Sequence, residues 1–325
     1  MKALLCKEYG PPESLSINQV NDPVPGDDEV LVDVVAAGIN FPDILTIAGK
    51  YQEKSHPPFV PGNELAGEIS EIGKNVTRFA VGEKVIANTR GGAFAEKCVA
   101  HQDRVLHLPA EIGFEQGAGF SVTYGTSFHA LRQRANLREG ETVLVLGAAG
   151  GVGITAVEIA KSMGARVIAA ASSDEKLSYA KSAGADDLVN YSSEPLKGRV
   201  RELTGGRGVD VVYDPVGGKL AVEALRATAL NGRYLVVGFA SGEIPNFPAN
   251  LVLLKEASIK GVWWGPWALR SPELQKKNMD ALLKDIKSGV LVPKIADSYA
   301  IANYQSAFAV IAERRARGKV ILKFK

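Results

Sequence analysis

Two cysteines, Cys6 and Cys98, are all that the 325 residues contain. Two thiols cannot build a disulfide framework, so a reducing, cytoplasmic setting is expected. No apolar run reaches the ~18–20 residues of a membrane span. The apolar stretch in the opening MKALLCKEYGPPE is shorter than the core of a signal peptide. A charge excess is also missing: Lys+Arg 38 less Asp+Glu 36 leaves +2. With no basic run either, neither nucleic acid nor a membrane surface is expected as a partner. There is no Gly-x-Ser-x-Gly, which removes the usual serine hydrolase signature. Apolar residues are abundant, at 46% against 23% charged, the mix of a folded globular chain rather than a disordered one. The length suggests about two domains. The 34 glycines point to many tight turns and close backbone approaches.

The first 120 or so residues read as β. Lys2–Lys7, Glu29–Ala37, Gly62–Ile72 and Lys84–Ala87 are short β-branched or alternating runs, punctuated by Pro and Gly pairs such as Pro57-Pro58 and Gly91-Gly92. From Ser121 the pattern changes. A helical stretch to Ala135 is followed by apolar strands at Thr142–Leu146, Arg166–Ala171, Asp187–Asn190, Val209–Tyr213, Tyr234–Gly238 and Ile259–Val262, with helical segments between them. Strands that lose alternation and recur with helices imply βαβ units on a parallel sheet buried on both faces. The tail adds helices at Pro272–Ser288 and Ala302–Ala312 and strands at Ile295–Tyr299 and Lys319–Lys323. The expected organisation is a β domain at 1–122, a nucleotide-binding α/β domain at 123–264, and the rest of the β domain at 265–325.

The strongest single signal follows Thr142–Leu146. Ala148-Ala149-Gly150-Gly151-Val152-Gly153 lies between a strand and a helix, the context in which a glycine-rich turn cradles a dinucleotide pyrophosphate. Gly150 lets a phosphate approach the backbone, Gly153 lets helix and strand pack closely, and the helix N-terminus offers free N–H groups. Ala149, Gly150, Gly151, Val152 and Gly153 are therefore expected to bind the cofactor. An NAD site carries an acid at the end of the second strand, for the ribose 2′-OH. Here Ala171 is followed by Ser172 and Ser173, with Lys176 one helical turn on, a set suited to a 2′-phosphate. NADP is therefore favoured over NAD. The counter-reading is a strand two residues longer, which would make Asp174 the ribose acid and Lys176 a surface lysine.

Several segments occur together in a recognisable order: Ala36-Ala37-Gly38-Ile39-Asn40-Phe41-Pro42-Asp43, Gly49-Lys50-Tyr51, Pro57–Gly67 (PPFVPGNELAG), the glycine turn, and Asp210–Gly218 (DVVYDPVGG). Across nearly its whole length the chain resembles the zinc-free quinone oxidoreductases of the medium-chain dehydrogenase/reductase superfamily, the ζ-crystallin-like branch. The resemblance implies an α/β protein: a Rossmann doubly wound parallel sheet inserted in a GroES-like β domain. It also implies NADPH as cofactor, hydride transfer to a small molecule, and a homodimer or homotetramer. In zinc-dependent members a cysteine follows the Gly-Ile and a histidine follows the Pro-Gly. Asn40 and Asn63 stand there in this chain, the third ligand position near Val122 is not cysteine, and the four-cysteine structural loop is missing. Zinc takes Cys, His or carboxylate ligands, so no metal is expected. Cys98-Val99-Ala100-His101 reads as two side chains of a strand.

Further roles follow from the resemblance. Asn40 resembles an asparagine placed against the nicotinamide ribose. Asp43 and Tyr51 resemble residues that line a substrate cleft, and with Asn40 they form the expected catalytic set. Their plain readings are a turn asparagine, a helix-start aspartate and a half-buried tyrosine. In related 2-enoyl thioester reductases a tyrosine at the position of Tyr51 donates a proton. Quinones and activated alkenes thus both stay open as substrates. Tyr191 and Arg314 resemble groups near the adenosine 2′-phosphate, Phe239 and Ala240 a stretch beside the nicotinamide ribose, and Thr126 a residue near the nicotinamide. Glu64 is expected to bond backbone groups. The run Val262–Trp267 holds all three tryptophans, and either a substrate wall or ordinary aromatic burial accounts for it. Ile47-Ala48 precede Gly49 where several quinone reductases carry an arginine, which suits less polar substrates. The non-enzymatic rivals are an RNA-binding role, which the charge disfavours, and a nucleotide-binding regulator without turnover.

Overall fold

β-Branched residues make the segment from Glu29 a strand, and in the computed structural model, which describes residues 1–324, it extends to Ile39. In chain order the first elements are β1 (Lys2–Leu5), β2 (Ser16–Gln19), β3 (Glu29–Ile39), α1 (Phe41–Ile47), β4 (Glu64–Ile72), β5 (Lys84–Asn88), β6 (Lys97–His101), β7 (Val105–His107) and α2 (Phe114–Ala118). Next come α3 (Ser121–His129), β8 (Thr142–Leu146), α4 (Gly151–Ser162), β9 (Arg166–Ala171), α5 (Asp174–Ser182), β10 (Asp187–Asn190), α6 (Leu196–Leu203), β11 (Val209–Asp214) and α7 (Gly218–Arg226). The chain ends with β12 (Thr228–Val236), α8 (Ala249–Leu254), β13 (Ser258–Gly261), α9 (Trp264–Arg270), α10 (Pro272–Lys287), β14 (Ile295–Ala300), α11 (Tyr304–Ala312) and β15 (Lys319–Lys323). One unit comprises Met1–Val122 and the chain from Pro293 on, the other Thr123–Val292.

In the first unit β3 is the central strand of a sheet ordered β14-β15-β3-β4-β5-β7. Its eleven residues are long enough to take two partners in succession along one edge. β6 pairs antiparallel with Glu29–Asp33 and β15 with Ala36–Ile39, while β4 runs along the other edge. Two register consequences matter for the site. Val320 pairs with Ile39, which sets Lys319 across from Asn40. Leu65 pairs with Ala37, which sets Glu64 across from Gly38. Residues two apart on a strand share a face, and directly opposed residues share it too. Gly38, Asn40, Glu64 and Lys319 therefore come to one face of the sheet.

In the second unit six parallel strands are ordered β10-β9-β8-β11-β12-β13. Numbered within the unit this is 3-2-1-4-5-6, the Rossmann order, whose switch point lies between β8 and β11. Leu144 and Leu146 pack with Leu196, Val200, Ala221 and Leu225 of α6 and α7, while Val143 and Val145, of opposite parity, are just as buried. Both sheet faces are thus covered, which is why these strands read as unbroken apolar runs. α3 continues into one π-type turn, Ala130–Arg134.

The stretch 265–292, expected from sequence in the β domain, belongs to the second unit. Three contacts hold it there. Trp264 is buried and donates its indole N–H to Gln275 Oε1 at 3.1 Å. Trp267 stacks on His129 with ring centroids 3.9 Å apart. Gln133 and Asn278 exchange amide hydrogen bonds of 2.9 and 3.2 Å. Of the three tryptophans only Trp263 is exposed.

Gly153 is the tightest point between α4 and the turn after β8: a Cβ there would lie 2.1 Å from the Gly147 carbonyl oxygen. Helix propensity alone would make Gly153→Ala stabilising by about 1 kcal/mol. The clash should reverse the sign and cost about 1–3 kcal/mol. Urea unfolding of the two proteins side by side checks this; a Gly153→Ala protein as stable as the wild type would mean that helix and turn can separate freely.

Candidate functional site

In the first unit the polar groups gather at the start of α1. Asn40 is its N-cap residue, and Asp43, three residues on, accepts the Asn40 backbone N–H on Oδ2 at 2.7 Å. Asp43 Oδ1 accepts from Asn63 Nδ2 at 2.9 Å. The Asn40 side chain donates from Nδ2 to Glu64 Oε1 at 2.9 Å, and its Oδ1 accepts from Lys319 Nζ at 2.5 Å. The same ammonium meets Glu64 Oε1, also at 2.5 Å, with the lysine side chain 5% and the glutamate 0% exposed. Glu64 Oε2 accepts the backbone N–H of Val122 at 2.9 Å. The expected backbone bond of Glu64 is present, but the ion pair with Lys319 was not expected. Burial pushes Asp43 up to about 7, against the opposing pull of the Asn40 N–H, Lys319 and Asn63.

Tyr51 follows the turn that ends α1, where its N–H bonds the Leu45 carbonyl at 3.1 Å. Asn40 and Asp43 sit at the N-terminal end of α1, and Tyr51 follows its C-terminal end in the chain. Tyr51 is half-buried. Arg314 also lies in the first unit, after α11, with φ 58° and its N–H on the Ile311 carbonyl at 3.0 Å.

In the second unit the residues expected to hold a dinucleotide lie at the ends of β8, β9, β11 and β12. Gly147 leaves β8 with φ 57°, and Gly150 is the N-cap of α4. The first N–H groups of a helix have no intrahelical acceptor, so those of Gly151, Val152 and Gly153 are available to an anion. A Cβ at Gly150 would meet only the Gly147 carbonyl oxygen, at 3.4 Å. The space above it is open to a phosphate, whereas Ala149 is buried. The hydroxyl of Ser127 on α3 bonds the Val152 carbonyl at 2.9 Å, Thr155 Oγ1 at 2.8 Å and the Tyr213 hydroxyl at 2.8 Å. This buried hydroxyl cluster ties α3, and with it the half-buried Thr126, to the first turn of α4.

The loop after β11 closes the other side of the turn. Asp214, buried at the end of β11, accepts the N–H groups of Val216 and Gly217 at 2.7 and 2.9 Å and the Tyr234 hydroxyl at 2.5 Å. Burial raises its pKa, and those three donors oppose the rise. The Ala240 N–H bonds the Pro215 carbonyl at 3.0 Å, which places Phe239 and Ala240 beside this loop.

At the end of β9 the strand stops at Ala171. Ser173 is the N-cap of α5 and accepts the Lys176 N–H, while Lys176 Nζ donates to Ser172 Oγ at 3.1 Å. Asp174 is the first residue of α5, and its Oδ1 accepts from Asn190 Nδ2 at 2.7 Å. The longer strand that would have made Asp174 the terminal acid is not formed. Tyr191 joins the cluster through its N–H on the Ala171 carbonyl at 3.1 Å, and Ser192 through its hydroxyl on the Ser172 carbonyl at 3.0 Å.

Sequence reasoning missed Lys319, Ser127, Thr155 and Ser192. Gly38 hinted at Lys319, since a glycine inside a strand marks a close approach. Among the described residues no group of three or more His, Cys, Asp or Glu is placed to hold a metal ion.

Family models match two segments: an alcohol dehydrogenase GroES-like domain over residues 26–127 and a zinc-binding dehydrogenase domain over residues 151–284. The chain is 39% identical over 327 residues to a quinone oxidoreductase-like protein 2 homolog of Nematostella vectensis, covering 100% of this chain and 89% of that one. It is 36% identical over 325 residues to a quinone oxidoreductase of Pseudomonas aeruginosa, covering 99% of each. Among solved structures, the Escherichia coli quinone oxidoreductase complexed with NADPH superposes with a TM-score of 0.92 at 28% identity, over 100% of both chains.

The raised pKa of Asp43 has a consequence for stability. A carboxyl whose folded value is above its unfolded one binds its proton more tightly when folded. Its stabilising contribution is complete below the unfolded pKa near 4 and is lost as pH rises through the folded value of about 7. Asp43→Asn should therefore flatten the fall in stability between pH 4 and 7 by on the order of 2–4 kcal/mol, as read by denaturant unfolding at a series of pH values. An unchanged pH slope in the variant would show that Asp43 stays ionised throughout.

Proposed function

The chain belongs to the quinone oxidoreductase family of the medium-chain dehydrogenase/reductase superfamily, and we propose that it reduces quinones with NADPH and without zinc. The observation that carries this reading is the end of β9. Ser172, Ser173 and Lys176 present two hydroxyls and an ammonium where an NAD enzyme presents a carboxylate, and Asp174 is turned to Asn190. These groups suit a 2′-phosphate, with Tyr191 beside them; Arg314 is assigned to the same phosphate by the resemblance alone. The N–H groups of Gly151, Val152 and Gly153, with Ala149 and the open space at Gly150, suit the pyrophosphate.

The bound cofactor supplies the hydride. The chain's own residues bind and orient. The resemblance assigns Asn40 of the first unit, and separately Thr126, Phe239 and Ala240 of the second, to the nicotinamide end. Asp43, with both oxygens engaged inside the protein, holds Asn40 and Asn63 in place. Asn40 and Asn63 offer amides where zinc members carry ligands, which supports zinc independence. A homodimer or homotetramer in the cytoplasm fits the reading, and no helix among the described residues is long and apolar enough to cross a membrane.

NADPH should exceed NADH by at least tenfold in kcat/KM. One hydrogen bond to a charged group contributes roughly 1.5–3 kcal/mol. Lys176→Ala should therefore raise KM for NADPH about tenfold and leave NADH use nearly unchanged. Steady-state kinetics with benzoquinone and naphthoquinone check both. Equal use of the two cofactors by the wild type would overturn the 2′-phosphate assignment.

A second reading, reduction of an alkene conjugated to a carbonyl, is favoured by Tyr51 alone, a phenol placed beyond α1 as a proton donor. Tyr51→Phe should then lower kcat on an enone about 10²-fold and on a quinone much less, since reduced quinone oxygens take protons from water. Small, equal losses on both substrates would make Tyr51 a wall residue.

A further inference from the structure

We propose that Lys319 is a positioning residue for the reduction: its buried ammonium, lodged between Asn40 and Glu64, holds the Asn40 carboxamide in a single orientation. The proposal rests on the reading that Asn40 meets the nicotinamide ribose. The chemistry of the contacts sets the orientation. An ammonium only donates, so the amide oxygen must face Lys319, and Nδ2 must face the Glu64 carboxylate, as observed. Nδ2 has a second, longer contact with the Gly38 carbonyl at 3.5 Å. What remains for a ligand is acceptor capacity on Oδ1. Asn40 is thereby fixed as an acceptor for a hydroxyl, and a flipped amide that donates to the ligand is excluded.

The backbone leaves room for this side chain. A Cβ on Gly38 would lie 2.4 Å from the Ala118 carbonyl oxygen, 2.7 Å from Lys319 Cε and 2.9 Å from Glu64 Oε1, and a Cβ on Gly119 would lie 2.7 Å from Lys319 Cγ. Two glycines on separate segments thus clear the path of the lysine. The register that sets Val320 against Ile39 delivers its head group to Asn40. Stability is a poor reason for such a pair. Taking both charges out of water is costly, and apolar residues of similar volume often stabilise a site as well or better. The ammonium does what an apolar side chain cannot: it makes one of the two amide orientations of Asn40 the only one allowed.

Lys319→Met alone would strand a buried Glu64 charge and risks unfolding, so the informative protein is Lys319→Met combined with Glu64→Gln. It keeps an acceptor for the Val122 N–H and removes both charges. The expected outcome is a folded protein by thermal melting, NADPH affinity within about threefold of wild type by fluorescence titration, and kcat with a quinone lowered at least ~10-fold, the scale of a misplaced reacting partner. Wild-type kcat in this variant would overturn the proposal. A readout free of turnover is hydrogen exchange of the Asn40 side-chain amide by NMR. It should be at least ~10-fold faster in the double variant, and equal rates would overturn the proposal. A wild type that oxidises no NADPH with any quinone or enone would sink the functional reading alone, and the exchange rates would still decide whether Lys319 fixes Asn40.

Discussion

The buried ion pair between Lys319 and Glu64 is the interaction on which the polar part of the first unit depends. Glu64 is fully buried and carries a carboxylate that must be neutralised. Lys319 brings the charge from a residue 279 positions beyond Asn40. Without it, Glu64 would be an unpaired anion, Asn40 Oδ1 would lose the ammonium it accepts from, and the start of α1 would rest on Asp43 alone. The cost of desolvating both charges is lowered because each finds further partners: Glu64 takes the Val122 N–H and the Asn40 amide, and Lys319 takes the Asn40 oxygen.

The second unit is organised by a different constraint, close backbone approach without charge. Gly153 brings α4 against the turn that leaves β8, and the hydroxyls of Ser127, Thr155 and Tyr213 fasten that helix to α3 and β11. The loop after β11 is held by Asp214, so the peptide groups at the switch point of the sheet are fixed before any ligand arrives. Preorganised N–H donors are what an anion site requires, because no reordering has to be made up from binding. The end of β9 is built in the same way: helix α5 begins early enough that Ser173 caps it and Asp174 turns to Asn190.

The two units differ in how much of this was legible. Strands β8, β9 and β10 and the last strand, β15, could be bounded from the sequence alone, because continuous β-branched and apolar runs end at glycine or polar residues. The glycine turn was legible for the same reason, since strand, turn and helix are contiguous and each residue's role is local. The short strand β2 was not legible: its four residues carry a mixed pattern, and it forms only by pairing with β1. The segment 265–292 was assigned to the wrong unit because its amphipathic helix shows that one face is buried and not against what; Trp264, Trp267 and Asn278 supply the answer through contacts more than a hundred residues back in the case of Gln133.

By itself the sequence determined the α/β class, the nucleotide turn, the set of Ser172, Ser173 and Lys176, and the amides at Asn40 and Asn63, since each is a matter of residue type at short spacing. Only the tertiary structure decided where β9 ends and therefore that Asp174 is a helix residue bonded to Asn190. It alone brought Lys319 to Asn40 and Glu64, because strand register is a long-range property: a shift of one residue would turn every side chain to the other face, and no local pattern records which register the packed core selects.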